Sequence, residues 1–212
     1  MKVTKYQHAC LFIENGNGTV VIDPGSFTDL PTELNDIVAV IVTEEHYDHF
    51  DTENLKKILA QNPDARIYTT QNVSNALAKD AIAATAITDT QTITVDDFSI
   101  TLRPVDHATV YQKSPCTSLT VTVDDYLYYP SDSYALPTKP VKILALPTSG
   151  PWFKVSESID FTKSIDSEVV IATHNAINSD IGNNIAKTYV SGHLPDHRKY
   201  IHLEPGESYS GN

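Results

Sequence analysis

The hydrophobic positions in the first part of the chain fall in short runs. The segments VTKY, ACLFIE and TVVID are rich in β-branched and aromatic residues, and polar residues separate them, as is typical of strands. The sequence Asn15-Gly16-Asn17-Gly18 lies between the second and third runs and is a strong hairpin-turn signal. The pattern therefore predicts that the chain begins as a β-meander.

A longer, nearly continuous apolar run extends over residues 37–43 and predicts a strand that is buried on both faces. It ends abruptly in the polar segment EEHYDHFD. Asp51 or Thr52 can then cap a helix through LKKILAQ, whose apolar residues fall on one face. The next predicted elements are a strand over residues 66–69 and a helix over residues 71–79.

The second half of the chain repeats this alternation of strands and helices. A hairpin is predicted from strands at 92–95 and 99–103 around Asp96-Asp97, followed by strands at 117–123, 126–129 and 141–146. Helices at 156–165 and 179–189 are predicted to flank a strand at 169–172. No low-complexity linker divides the two strand groups. We therefore expect one domain over residues 1–212, an α/β four-layer αββα sandwich with two sheets face to face and helices outside.

Composition narrows the range of partners. The 27 acidic and 15 basic residues give a formal charge of -12, which repels polyanions, so we expect neither a nucleic acid nor a membrane partner. The N-terminal segment lacks the continuous apolar core of a signal peptide, and Cys10 and Cys116 form no CxxC pair. These features predict a cytoplasmic protein with reduced thiols and a small-molecule substrate, and they leave its oligomeric state open.

Candidate metal ligands follow the predicted strands. Directly after the buried strand, the segment EEHYDH places His46, Asp48 and His49 within four residues. A solvated polar loop could contain such residues by chance. Ligand-type residues also follow three other predicted strands, namely His107 in PVDHA, Asp132 in YYPSDS and His174 in VVIATHN. Four strand ends could therefore converge on one metal site.

On these residues the sequence closely resembles the metallo-β-lactamase superfamily, whose signature H-x-H-x-D-H follows a strand and precedes a further His, Asp and His. The resemblance begins at HACLFIE and VVIDPG, ends at THN, and spans essentially the whole chain. Within the superfamily, the chain looks most like small bacterial members related to ascorbate-6-phosphate lactonase.

The resemblance implies a dinuclear metal site. His46 and His107 would bind the first ion, Asp48, His49 and His174 the second, and Asp132 would bridge both. Imidazole and carboxylate donors suit two divalent ions, zinc first and manganese or iron as alternatives. A metal-bound hydroxide would attack a small ester, lactone or phosphodiester, with Asp48 and His174 as the catalytic residues.

Glu44 occupies the place of the first His of the signature. Two His and one Glu form a known catalytic zinc arrangement, so Glu44 can complete the first site. A Glu44 that swings away would instead leave this site weak or empty. The alternative function is therefore a binding or sensing protein on the same scaffold, with catalysis weakened or lost.

Further residues have both a structural and a functional interpretation. Asp23 either orients a ligand by hydrogen bonding or serves only the turn before Pro24. His8 either faces the cleft or packs beside an apolar strand. Trp152 and Lys154 either line the cleft or belong to an ordinary loop. Ser131 stands where the superfamily usually has Gly, and His193, His197 and His202 are expected at the surface.

Overall fold

The computed structural model describes residues 1–211 and contains two seven-stranded sheets. The first sheet has the order β14-β1-β2-β3-β4-β5-β6. Neighbouring strands are antiparallel from β14 to β3 and parallel from β3 to β6. Its strands are β1 Lys2–Lys5, β2 Leu11–Glu14, β3 Thr19–Ile22, β4 Ile37–Val42, β5 Arg66–Thr69, β6 Thr85–Ala86 and β14 Ser208–Ser210.

The second sheet has the order β13-β12-β11-β10-β9-β8-β7. Its strands are antiparallel from β7 to β10 and parallel from β10 to β13. They are β7 Gln91–Val95, β8 Phe98–Asp106, β9 Thr117–Val123, β10 Leu127–Tyr129, β11 Ile143–Pro147, β12 Val169–Thr173 and β13 Lys199–Ile201.

Four helices cover the outer faces: α1 Thr52–Gln61, α2 Gln71–Lys79, α3 Val155–Lys163 and α4 Asp180–Ser191. Three of them begin at a capping side chain, Asp51, Thr70 or Ser179, which accepts a hydrogen bond from a backbone N–H in the first turn. α1 and α2 pack against β4 and β5 of the first sheet, and α3 and α4 pack against β11 and β12 of the second. No helix within residues 1–211 is long and apolar enough to cross a membrane.

The core between the sheets contains apolar side chains from both of them, among them Val3, Ile13, Leu102, Val121 and Ile171. Because each sheet buries its other face under helices, the layers run helix, sheet, sheet, helix. The predicted αββα architecture is confirmed. The single domain over residues 1–212 stays a prediction, which this shared core supports.

Most predicted elements are present with ends shifted by one to three residues. The helix predicted over 71–79 has those bounds, whereas the one predicted over 156–165 runs from Val155 to Lys163 and that over 179–189 from Asp180 to Ser191. β8 continues three residues beyond its predicted end, because it pairs with all of β9. The short edge strands β6, β13 and β14 were not predicted.

Candidate metal centre

Seven side chains predicted as metal ligands lie together at one end of the sandwich. Glu44, His46, Asp48 and His49 belong to the segment between β4 and α1. The others follow β8, β10 and β12, namely His107, Asp132 and His174. The carboxyl ends of parallel strands lie at the same edge of a sheet, which brings these segments together.

Sharp turns aim these side chains into the cleft. Asp23, Ser131 and His174 have positive φ values of 47°, 54° and 53°, a conformation that non-glycine residues seldom adopt and that is common at functional sites. The Ser131 hydroxyl lies 2.7 Å from Thr43 Oγ1 and 2.8 Å from Ser118 Oγ. These contacts offset part of the cost of having Ser rather than Gly at this turn.

The donor atoms predicted to hold the second ion are close together. His174 Nε2 lies 3.3 Å from Asp48 Oδ2 and 3.1 Å from Asp132 Oδ1, and His49 Nε2 lies 3.3 Å from Asp132 Oδ1. A tetrahedral ion with bonds of about 2.0–2.1 Å separates neighbouring donors by about 3.3 Å. The spacing of these side chains therefore matches a metal coordination sphere.

Each buried imidazole of this group is held by its other ring nitrogen. Nδ1 of His49 lies 2.7 Å from Asp23 Oδ2, and Nδ1 of His174 lies 2.9 Å from the Ser149 carbonyl. Nδ1 of His107 lies 2.6 Å from the Ala108 carbonyl. Since all three partners are acceptors, Nδ1 carries the proton, and Nε2 of the neutral ring is free to bind a metal. The proposed orienting role of Asp23 thus has a direct contact behind it.

Glu44 points into the cluster. Its side chain is fully buried, and its Oε1 lies 3.5 Å from both His107 Nε2 and His49 Nε2. Its other oxygen, Oε2, lies 2.5 Å from His46 Nδ1 and accepts a hydrogen bond of 3.0 Å from the Cys116 thiol. One carboxylate oxygen is therefore available to a metal while the other holds His46.

Four buried donor atoms lack a hydrogen-bond partner among residues 1–211: Glu44 Oε1, His49 Nε2, Asp132 Oδ1 and His174 Nε2. All four face the same space, as the distances above show. Leaving so many polar atoms unsatisfied in one place is costly unless a ligand binds them. Two groups of ligand atoms within 4.8 Å of one another, Glu44/His46/His107 and His49/Asp132/His174, match the two predicted metal positions. The residues therefore fit two cations.

The charges of the cluster shift pKa values in opposite directions. Burial would raise the pKa of Asp48, but hydrogen bonds with His174 and His8 hold it well below its usual range. Burial would lower the pKa of His174, yet the charge and hydrogen bond of Asp132 raise it to about 9. The pKa of His49 is raised against burial for the same reason. The carboxylates thus draw in positive charge, which bound cations would supply.

Three neighbours of the cluster were not placed there by the sequence, or were left undecided. Trp152 is buried and its Nε1–H donates to Asp132 Oδ2 over 2.8 Å. Cys116, expected to be an inert thiol, contacts Glu44. The His8 ring lies 3.0 Å from Asp48, and burial lowers its pKa to about 4 although Asp48 opposes this shift. No local pattern reveals these contacts, because each joins segments distant in sequence.

Other candidate residues lie outside the cluster. Lys154 is exposed and pairs with Glu157 on the surface of α3. His193 and His197 are exposed and His202 is half-buried, and none of the three belongs to a metal-type group within residues 1–211. Their predicted surface location agrees with the structure.

A four-layer αββα sandwich with imidazole and carboxylate donors at its strand ends defines the metallo-β-lactamase class of fold. The sequence profile of the β-lactamase superfamily domain matches residues 2–174. The chain belongs to this superfamily, as its motifs predict. The finer resemblance to ascorbate-phosphate lactonase relatives stays a prediction.

Individual relatives agree with this assignment. Protein Rv0786c of Mycobacterium tuberculosis is 28% identical over 185 residues, which cover 84% of this chain and 85% of that protein. Igni18, a metallo hydrolase from the archaeon Ignicoccus hospitalis, has a TM-score of 0.73 at 21% identity over 100% of this chain and 99% of its own. An isothiocyanate hydrolase from Delia radicum gut bacteria has a TM-score of 0.71 at 18% identity, with the same coverage. At such identities the two solved structures establish a shared fold alone.

Proposed function

We propose that this protein is a metal-dependent hydrolase that acts on a small molecule. The observation that carries the proposal is the set of four buried, unpartnered donor atoms that face one another at the strand ends. Superfamily membership supports it, as do the two hydrolases of similar fold. A purely structural cluster would pair its polar atoms with one another instead of leaving them free.

Two divalent ions fit the donors of this site. Glu44, His46 and His107 would hold the first ion, Asp48, His49 and His174 the second, and Asp132 would bridge them. Nitrogen and carboxylate donors suit zinc, manganese and iron, with zinc as the first choice. When bound, such ions acidify water and polarise a substrate oxygen.

The side chains of the cleft have distinct tasks in this proposal. Asp48 is the acidic ligand that keeps some contact with solvent, with 17% of its side chain exposed, so it can accept a proton from attacking water. His174, proposed with it as catalytic, lies 3.3 Å from its carboxylate. Trp152 fixes the orientation of Asp132 and contributes an apolar wall beside it.

The proposed substrate is a small ester, lactone or phosphodiester. Chemistry at two metal ions does not require a Ser or Cys nucleophile, and these bonds share an oxygen that a cation can polarise. The net charge of -12 disfavours nucleic acid and anionic membrane surfaces as partners, and a cytoplasmic location stays part of the proposal.

The competing proposal is a binding or sensing protein whose metal centre Glu44 weakens. The inward position of Glu44 Oε1 favours the enzyme, since this oxygen stands where a ligand is required. The two functions differ in turnover rather than in fold. Both predict metal binding, but only the enzyme predicts metal-dependent hydrolysis.

Elemental analysis and hydrolysis assays test the proposal together. The purified full-length protein should carry close to two divalent ions per chain and should hydrolyse generic lactones, nitrophenyl esters or bis-nitrophenyl phosphate. A chelator should abolish this activity and added metal should restore it. His49→Gln should lose both metal and activity, whereas His193→Gln, at an exposed histidine, should change neither. Metal-free protein that no added divalent ion activates would contradict the enzyme function.

Glu44→His tests the first metal position separately. If Glu44 is a working ligand, this variant should bind the same number of ions with a stronger preference for zinc, because an imidazole replaces a harder carboxylate. Activity should be retained. A large gain of metal over the wild type would instead mean that Glu44 leaves the natural position partly empty.

A further inference from the structure

His8 is a buried histidine beside the metal centre that the metal-binding proposal does not use. Its side chain is fully buried, and its Nε2 lies 3.0 Å from Asp48 Oδ2. Its ring stacks on that of His174, with ring centroids 3.9 Å apart. Donor atoms of His8, Asp48 and His174 fall within 4.8 Å of one another. By distance alone, His8 could be an eighth ligand.

The hydrogen bond at the other ring nitrogen argues against ligation. The backbone N–H of Ala176 donates to His8 Nδ1 over 3.2 Å. A backbone N–H is only a donor, so Nδ1 must offer a lone pair and the proton of the neutral ring lies on Nε2. An Nε2 that carries a proton donates to a carboxylate and cannot bind a metal.

The ligand histidines show the opposite arrangement. Nδ1 of His49 faces the Asp23 carboxylate, and Nδ1 of His174 faces the Ser149 carbonyl. Both partners accept a proton, which leaves Nε2 of these rings for the metal. The hydrogen-bond partners of the buried rings thus divide them into metal ligands and a hydrogen-bond donor.

The backbone of His8 connects the same segments as its side chain. Its carbonyl accepts a hydrogen bond of 2.8 Å from the N–H of His174. Its φ of 59° turns the chain between β1 and β2 so that both groups reach the segment after β12. His8 therefore links the segments that carry Asp48 and His174, which come from different sheets.

We propose that His8 is a positioning residue, which holds Asp48 in place through its Nε2–H and is not itself a metal ligand. The proposal deepens the metal-centre assignment and rests on it for the role of Asp48. The hydrogen bond occupies one lone pair of Oδ2 and restrains the carboxylate before any ion arrives. Contacts of this kind behind a ligand typically change metal affinity by about 10–100-fold.

Two amide variants separate the ring nitrogens of His8. His8→Gln can place an N–H near the position of Nε2 and so retain the donor to Asp48. His8→Asn can place an oxygen near the position of Nδ1 and so retain the acceptor for Ala176, but it does not reach Asp48. With full-length protein and zinc or cobalt, we expect His8→Gln to keep the metal affinity within a few-fold. His8→Asn should weaken binding of one ion about 10–100-fold.

Spectroscopy on the same proteins counts the ligands. X-ray absorption of the zinc-loaded protein should give the same number of imidazole ligands in the wild type, His8→Gln and His8→Asn. Loss of one imidazole from the two variants would overturn the proposal by making His8 a ligand. Weak binding by His8→Gln with normal binding by His8→Asn would also overturn it, because the important contact would then be to Ala176.

A measurement on the wild type keeps this test independent of metal binding and of variant folding. Nitrogen-15 NMR of the imidazole rings in metal-free protein should show His8 with a bare Nδ1 and a protonated Nε2. His49 and His174 should each carry a proton on Nδ1. A protonated Nδ1 on His8 would refute the proposed role even if the protein binds two ions. A wild type that binds no metal but shows this pattern would instead contradict the hydrolase function.

Discussion

The two proposed metal positions differ in how far the protein has prepared them. At the second position, the imidazoles of His49 and His174 are buried and each is anchored through Nδ1. At the first, 40% of the His46 side chain is exposed and its Nδ1 lies against Glu44 Oε2. Anchored donors lose little freedom when an ion binds, whereas the contact between His46 and Glu44 must rearrange if His46 is to bind through Nδ1. We therefore expect the second position to bind its ion more tightly.

Asp23→Asn should have the largest effect on this comparison. Asp23 Oδ1 accepts from the Thr43 N–H, and Oδ2 from the Thr43 hydroxyl and His49 Nδ1. An amide keeps the shape and tolerates the positive φ, but its NH₂ must face a donor on one side. We expect metal affinity at the second position to fall about 10–100-fold and the first to change little, as measured by chelator competition. An equal loss at both positions would mean that Asp23 supports the whole cleft.

The pH dependence of metal-free protein tests how strongly the second position attracts positive charge. The pKa of His174 is raised to about 9, against burial, by Asp132. A histidine whose folded pKa exceeds its unfolded value stabilises the fold at low pH and loses that contribution as pH rises from about 6.5 to 9. Chemical denaturation should show a free energy of unfolding that falls by about 1–3 kcal/mol over this window.

His174→Asn is the control for that measurement, and it should remove most of the fall. Lys5, whose burial lowers its pKa to about 8, acts in the opposite direction above pH 8, because the unfolded chain then binds more protons. Lys5 is present in both proteins, so the difference between them isolates His174. An identical pH profile for the two proteins would show that the second position does not hold a proton in place of the metal.

Cys116→Ala should give the smallest effect and should be confined to the first position. The Cys116 thiol donates to Glu44 Oε2, and one such hydrogen bond is worth about 1 kcal/mol, or roughly five-fold in affinity. Cys116→Ser keeps a donor and should retain wild-type affinity. A metal affinity that is unchanged in the alanine variant would mean that His46 alone positions Glu44.

The sequence predicted the fold well where local signals are strong. The bounds of α2 and the cap of α1 at Asp51 followed from polar caps and from apolar residues on one face. The edge strands β6, β13 and β14 have only two or three residues. Such strands contain no full hydrophobic period, and pairing with a distant neighbour defines them.

The candidate site was predictable to the same limit. Residues that follow strands, such as His107, Asp132 and His174, were found because strand ends of a sheet converge. The contact of His8 with Asp48 joins positions 40 residues apart, and its contact with Ala176 joins positions 168 apart. Which ring nitrogen is protonated depends on these partners, and no spacing in the sequence encodes it. The orientation of Glu44 was likewise beyond prediction, since it depends on Cys116 and on the rings around it.

The donors of the centre come from positions 44 to 174 and from both sheets, which has a kinetic consequence. An ion can meet all of them only after the sheets have packed together, when most native contacts already exist. Metal should therefore leave the rate of folding nearly unchanged and act on the reverse step. Loaded protein would escape from the native state more slowly, and its lifetime against heat or proteases would depend on how fast it releases the ions.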